Sequence, residues 1–320
     1  MKPAGRTRLR ADVKTVARAW RWGHRPLVPR SVEPPAAEHR DFPTAWARTE
    51  TGKLAREALQ RFALAPLLAA ETRPKVHGLD VFEHLRGPAI FVANHSSHLD
   101  APFVLTSLPR EWARRTATGA AADYFFDVWW RAAATALVFN AFPVERSSRK
   151  RSNGSRANGS RANGSSRATA LARELIAEGW SILMFPEGTR SRDGWVRPFK
   201  PGAARLAIEH DLPVVPIAIR GSYQSMPRGK GWPAKGRLPV SVRFAHAVRP
   251  APGEDVTAFN DRIRTALAAA LDEDRTTWWD ARRRAARGDT PDAGGPDAAG
   301  WRRRWESSRP MPVKPRAFRT

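Results

Sequence analysis

Cysteine is absent from this chain. That excludes disulfides, thiolate metal sites and a cysteine nucleophile together, and it leaves no signature of redox compartment. Long apolar runs are missing too. No stretch of about 20 residues is apolar enough to span a bilayer, and the basic N-terminus has no hydrophobic segment of the kind a signal peptide needs. Acids are scarce in three places. Residues 1–30 hold nine Lys/Arg against Asp12 alone, residues 281–320 hold eleven against four acids, and residues 146–167 hold seven and no acid. The net charge over 320 residues is +24. Such segments attract polyanions of any kind: nucleic acid, anionic lipid or a phosphorylated substrate. The basic stretches carry no recognised nucleic-acid-binding motif, which argues against nucleic acid as the partner.

Two stretches are oily enough for a membrane surface, Leu59–Ala70 and Tyr124–Phe142, the second interrupted by Asp127 and Arg131. Thirteen tryptophans add to that reading, because indole rings favour the headgroup zone. Ordinary core helices would look the same. Along the chain, residues 44–70 have helical spacing broken at Pro66, followed by alternating strands and helices. Strands are expected at Pro88–Asn94, Trp180–Phe185, Leu212–Ser222 and Leu238–Val248, and helices at Leu99–Leu108, Gly202–Asp211 and Thr257–Asp274. Alternation of this kind argues for an α/β core with a mixed, largely parallel sheet flanked by helices. Residues 1–40 read as an irregular, Pro-rich basic arm, 41–275 as one domain, and 276–320 as a basic, largely disordered tail. Within the domain, 149–167 reads as a flexible loop, because Ser152–Arg167 repeats Arg-Ala-Asn-Gly-Ser and cannot build a core.

The chemistry concentrates in two places. In "NHSSHLD", His95 and Asp100 lie about 140° apart on an ideal helix, and they meet only if His95 sits in a strand-to-helix turn ahead of Asp100. An imidazole so placed is suited to general-base work, its second nitrogen held by the carboxylate. Two other readings compete: a metal site on His95, His98 and Asp100, and a satisfied structural cluster. In "FPEGTRSRDG" a strand ends at Phe185-Pro186, and the loop then supplies Glu187, Gly188, Thr189 and Arg190. Gly188 permits close backbone approach, Arg190 offers a planar fork for phosphate, and Glu187 can accept from hydroxyls.

"NHSSHLD" followed by "FPEGTRS" about ninety residues later resembles the glycerolipid acyltransferase family, typified by 1-acylglycerol-3-phosphate acyltransferase. "NAFPVER" and "VVPIAI", around Arg146 and Pro216, fit the family's two weaker blocks in the same order, so the resemblance covers Val76–Val248. The chain departs from the pattern at Asn140 and Ala141, where a glycine is usual, and in the inserted repeat. The resemblance implies acyl transfer from acyl-CoA or acyl carrier protein to a hydroxyl of a lysophospholipid or glycerol phosphate. His95 would be the base and Asp100 its orienter, with Arg146, Glu187, Gly188, Thr189 and Arg190 binding substrate, and Lys200 a further candidate for phosphate. The alcohol is the nucleophile, so neither a metal nor a resident cofactor is called for. Backbone N–H groups near the helix start are the expected oxyanion donors. The enzyme would work at an anionic membrane surface on its cytoplasmic face, peripheral or monotopic.

Overall fold

The computed structural model describes residues 44–121, 129–144 and 160–309. Its sheet has seven strands: β1 (Thr72–His77), β2 (Ile90–Ala93), β3 (Thr116–Ala121), β4 (Ala141–Val144), β5 (Ser181–Met184), β6 (Val214–Arg220) and β7 (Leu238–Phe244). Their order is β1-β7-β6-β2-β5-β3-β4. Only β6 and β7 are antiparallel; every other neighbouring pair is parallel. The expected α/β architecture with a mixed, largely parallel sheet is therefore present. Both edge strands contain proline, Pro74 in β1 and Pro143 in β4, where a missing N–H costs no ladder bond. Pro216 stands in a central strand, yet it falls in a gap: pairing with β7 ends at Ile217↔Phe244 and resumes only as the bridge Val214↔Val248.

The helices are, in chain order, α1 (Glu50–Leu59), α2 (Ala65–Glu71), α3 (Val81–His84), α4 (Asp100–Ser107), α5 (Arg110–Arg114), α6 (Trp129–Phe139), α7 (Ser160–Ala177), α8 (Gly202–Glu209), α9 (Ser222–Ser225), α10 (Val256–Arg275), α11 (Trp278–Arg287) and α12 (Gly300–Ser307). A π turn, Gln60–Leu64, joins α1 to α2. The central strands alternate between two fully buried faces. Phe91, Ala93, Leu183 and Ile217 pack with Phe82, Phe103 and Phe244 on one side. Ile90, Val92, Ile182 and Val214 pack with Leu175, Ala207, Phe259 and Ile263 on the other. Burying both faces is what makes these strands read as unbroken apolar runs.

Two expectations of the sequence reading are corrected. The repeat segment is not wholly loop, since α7 begins at Ser160 inside it. The tail is not largely disordered as far as Arg309: it forms α11 and α12, which return to the domain. Thr277 caps α11 by accepting from Asp280 N–H at 3.1 Å, and Arg284 forks onto buried Asp272 at 2.8 and 2.8 Å. Of the oily stretches, Trp129–Phe139 is the helix α6, with Ala132, Thr135 and Ala136 buried against the domain; residues 124–128 lie outside the described residues. On the continuous helical run of α1, the π turn and α2, Phe62 is 74% exposed and Leu54 and Leu67 also face outward. The arm 1–40 and Arg146 lie outside the described residues.

Candidate active site

β2 delivers the site. The strand stays in the sheet only as far as Ala93, and Asn94 then completes it with a side chain: Oδ1 accepts from Ile219 N–H at 2.7 Å and Nδ2 donates to Ile219 C=O at 2.9 Å. The amide side chain thus substitutes for one more backbone pair and frees the chain to turn. Serine hydroxyls pin the turn that follows. Ser96 Oγ bonds Ser222 Oγ at 3.0 Å, and Ser97 Oγ donates to Met226 C=O at 2.8 Å.

Within this turn His95 Nδ1 lies 2.9 Å from Asp100 Oδ2. Asp100 is fully buried at the first turn of α4, where the helix dipole favours a negative charge. The same Oδ2 accepts from Ser96 N–H at 2.6 Å and Ser97 N–H at 2.7 Å. A carboxylate fixed this way accepts a hydrogen bond from Nδ1–H, which leaves Nε2 as the imidazole's basic nitrogen. The ring stacks on Phe185 with centroids 4.3 Å apart, which sets its plane, and its side chain keeps 18% exposure. The required geometry, a turn residue and a helix-start carboxylate, is present.

The second motif closes over the first. Gly188 N–H donates to Phe185 C=O, Lys200 N–H to Pro186 C=O, and Ser191 N–H to His95 C=O at 2.8 Å. Glu187, 4% exposed, accepts from His95 N–H at 2.7 Å through Oε1 and from Arg197 N–H at 3.0 Å through Oε2. It was expected to face glycerol hydroxyls; each of its oxygens holds a backbone N–H, so it braces the His95 turn against the loop. Burial pushes its carboxyl up to about 8, against the downward pull of these two N–H groups. Gly188 has φ +70°, and a Cβ there would meet Lys200 Nζ at 2.7 Å and Cε at 2.8 Å. Lys200 therefore lies across the Gly188 backbone. Thr189 and Arg190 follow on the same turn, half-buried.

The N–H groups expected to serve an oxyanion are taken: His95 N–H by Glu187, and Ser96 and Ser97 N–H by Asp100. Nor are His95, His98 and Asp100 placed to share an ion; among the described residues no three His, Asp or Glu side chains are so grouped. The polar break at Asn94 and Ser96-Ser97 favours such a turn in the sequence, but the bonds these residues make, and the stacking of Phe185, were not read there. The signal available was the polar pair Ser96-Ser97 between histidine and aspartate, whose backbone N–H groups reach forward to Asp100.

The tail completes the loop from outside. Arg303 donates to Asp193 Oδ2 at 2.7 Å, to Pro296 C=O at 2.6 Å and to Gly294 C=O at 2.7 Å. Trp195 Nε1 donates back to Arg303 C=O at 2.9 Å, and Ser307 Oγ donates to Asp193 C=O.

The site thus consists of a strand-end histidine tied to a helix-start aspartate and braced by a buried glutamate from a second strand-end loop. Residues 73–220 match the family model described as Acyltransferase. The chain is 29% identical over 199 residues to the 1-acyl-sn-glycerol-3-phosphate acyltransferase BAT2, chloroplastic, of Brassica napus, covering 61% of this chain and 50% of the relative. To the enzyme of the same description from Limnanthes douglasii it is 33% identical over 164 residues, 51% of this chain and 50% of the other. The chain thus spans about half the length of the curated relatives it matches. Among solved structures, the 1-acyl-sn-glycerophosphate (LPA) acyltransferase of Thermotoga maritima shares the fold, with a TM-score of 0.51 at 22% identity over 72% of this chain and 83% of that one.

Proposed function

We propose that this chain acylates the free hydroxyl of 1-acyl-sn-glycerol 3-phosphate to give phosphatidic acid, with acyl-CoA or acyl carrier protein as donor. One observation carries the reading: the 2.9 Å contact between His95 Nδ1 and a fully buried Asp100, held by two further backbone donors. Nε2 of His95 takes the proton from the lipid hydroxyl as its oxygen attacks the thioester carbon. The C–S bond then breaks, and the thiolate leaves with the proton that the imidazolium returns. Asp100 holds the tautomer and stabilises the imidazolium. Arg146 and Arg190 bind the acceptor phosphate, and Thr189 and the Gly188 backbone line its glycerol end. No metal or resident cofactor enters this sequence of steps.

Lipid substrates place the enzyme at a membrane surface, on its cytoplasmic side in this reading. Support comes from the exposed Leu54, Phe62 and Leu67 on the helical run of α1, the π turn and α2 and from the +24 charge, which suits anionic lipid. Among the described residues no helix is long and apolar enough to cross a membrane.

The test is thiol release from acyl-CoA with and without 1-acylglycerol 3-phosphate. Release should require the acceptor, vanish in His95→Ala, and fall at least ~100-fold in kcat in Asp100→Asn, where the wrong tautomer is held. His98→Ala should leave it within a few-fold. Equal loss in His95→Ala and His98→Ala, together with inactivation by chelator, would show that the two histidines are metal ligands.

A further inference from the structure

Between α10, the end of β6, residues 194–196 and the returning tail lies a cavity of about 450 Å³, within the range of small-molecule sites. Asn94 and Ser96, the neighbours of His95, form part of its wall. Its charges are unevenly matched. Three acids line it, and each is already held by an arginine from outside the lining: Asp272 by Arg284 at 2.8 Å, Asp292 by Arg264 at 2.6 Å and Glu306 by Arg302 at 3.0 Å. Three arginines also line it: Arg220, Arg275 and Arg309. Arg220 Nη1 is buried without a hydrogen bond, and the nearest carboxylate, Asp274, stands 3.9 Å away. Arg275 and Arg309 sit over the rings of Trp195 and Trp305 and make no ion pair among the described residues. Burial, with Arg275 close by, lowers the Arg220 guanidinium to about 10. A cavity that gathers guanidinium groups and sequesters its own carboxylates elsewhere is complementary to a phosphate.

One more group narrows the ligand. Gln224 Oε1 is buried against the cavity with no donor, so a ligand that brings an N–H or O–H as well as a phosphate would complete it. A lysophosphatidate has one alcohol O–H, and the proposed reaction places it at His95 Nε2. The pantetheine arm shared by coenzyme A and acyl carrier protein has two amides and ends in phosphate. We infer that this cavity binds the phosphate-bearing pantetheine arm of the acyl donor, with Arg220, Arg275 and Arg309 on the phosphate and Gln224 on an amide. The inference rests on the acyl-transfer reading for the donor's identity.

Calorimetric binding to the full chain tests it without turnover, using coenzyme A, pantetheine and glycerol 3-phosphate as probes. Arg275→Gln and Arg309→Gln, both at exposed positions, should each weaken coenzyme A about tenfold. Pantetheine and glycerol 3-phosphate should be unchanged. Arg220→Gln should weaken coenzyme A further, and because it is half-buried its folding is checked by thermal melting. Unchanged coenzyme A affinity in both exposed variants would overturn the proposal. So would equal weakening of pantetheine, which has no phosphate, or loss confined to glycerol 3-phosphate, which would assign the cavity to the acceptor. Arginine-dependent coenzyme A binding by a chain that transfers no acyl group would sink the acyl-transfer reading and leave the cavity assignment standing.

Discussion

Glu187→Gln separates bracing from substrate contact, and its outcome can be worked from the structure. In the fold the carboxyl is raised from its ordinary 4.5 to about 8. Below pH 4.5 the folded and unfolded chains both carry the proton, and burial of this group has no pH-dependent cost. Between 4.5 and 8 only the folded chain keeps it, so stability falls as pH rises, by about 1.4 kcal/mol per pH unit. Above 8 the loss levels off at roughly 5 kcal/mol, an upper bound. Glutamine cannot titrate. It can accept from only one of His95 N–H and Arg197 N–H, and it turns an amide donor toward the other, a fixed cost of about 1–3 kcal/mol. The variant should therefore be less stable than the parent at pH 5 and equal to or more stable than it at pH 8.5. Urea unfolding followed by tryptophan fluorescence at several pH values reads this directly. Parallel curves for the two proteins would show that Glu187 has an ordinary acidity and would refute the burial argument.

Two other perturbations bear on the same turn. Asn94→Ala removes both bonds to Ile219 and strands a buried N–H and C=O, and urea unfolding should register a loss of about 2–4 kcal/mol. Gly188→Ala collides with Lys200 and holds a side chain at φ +70°. Thiol release should fall in Gly188→Ala and recover in part in Gly188→Ala/Lys200→Ala, which removes the collision while leaving about 1 kcal/mol of backbone strain.

What the sequence made legible follows from burial. β2, β5, β6 and most of β7 lie in the sheet interior and appear as apolar runs or alternation, so periodicity finds them. β1 is "TRPKVH", an edge strand with mostly exposed side chains. β3 is "TATGAA", small residues without a β-former signature, and β4 is four residues long with a proline. None has local information enough to compete with a loop. In the tail, charge masked structure, although Thr277 marks the start of α11 as its N-cap, accepting from Asp280 N–H and donating its hydroxyl to Asp280 Oδ2. At the site, His95 and Asp100 were readable because five residues of chain bring them together. Glu187's bond to His95 N–H spans 92 positions, and no local pattern distinguishes a glutamate that braces a backbone from one that greets a ligand.

The clamp of Arg303 on Asp193 joins positions 110 apart, and that of Ser307 on the same residue joins positions 114 apart. During synthesis at about 5–20 residues per second, the loop that bears Glu187 leaves the ribosome well before the arginine that secures it. The described sheet strands have all been made by Phe244 and α10, which covers one face, by Arg275, so the core can close while residues 191–197 still wait for their outer contacts. The outer fastening of the site loop is thus made after the sheet that carries it.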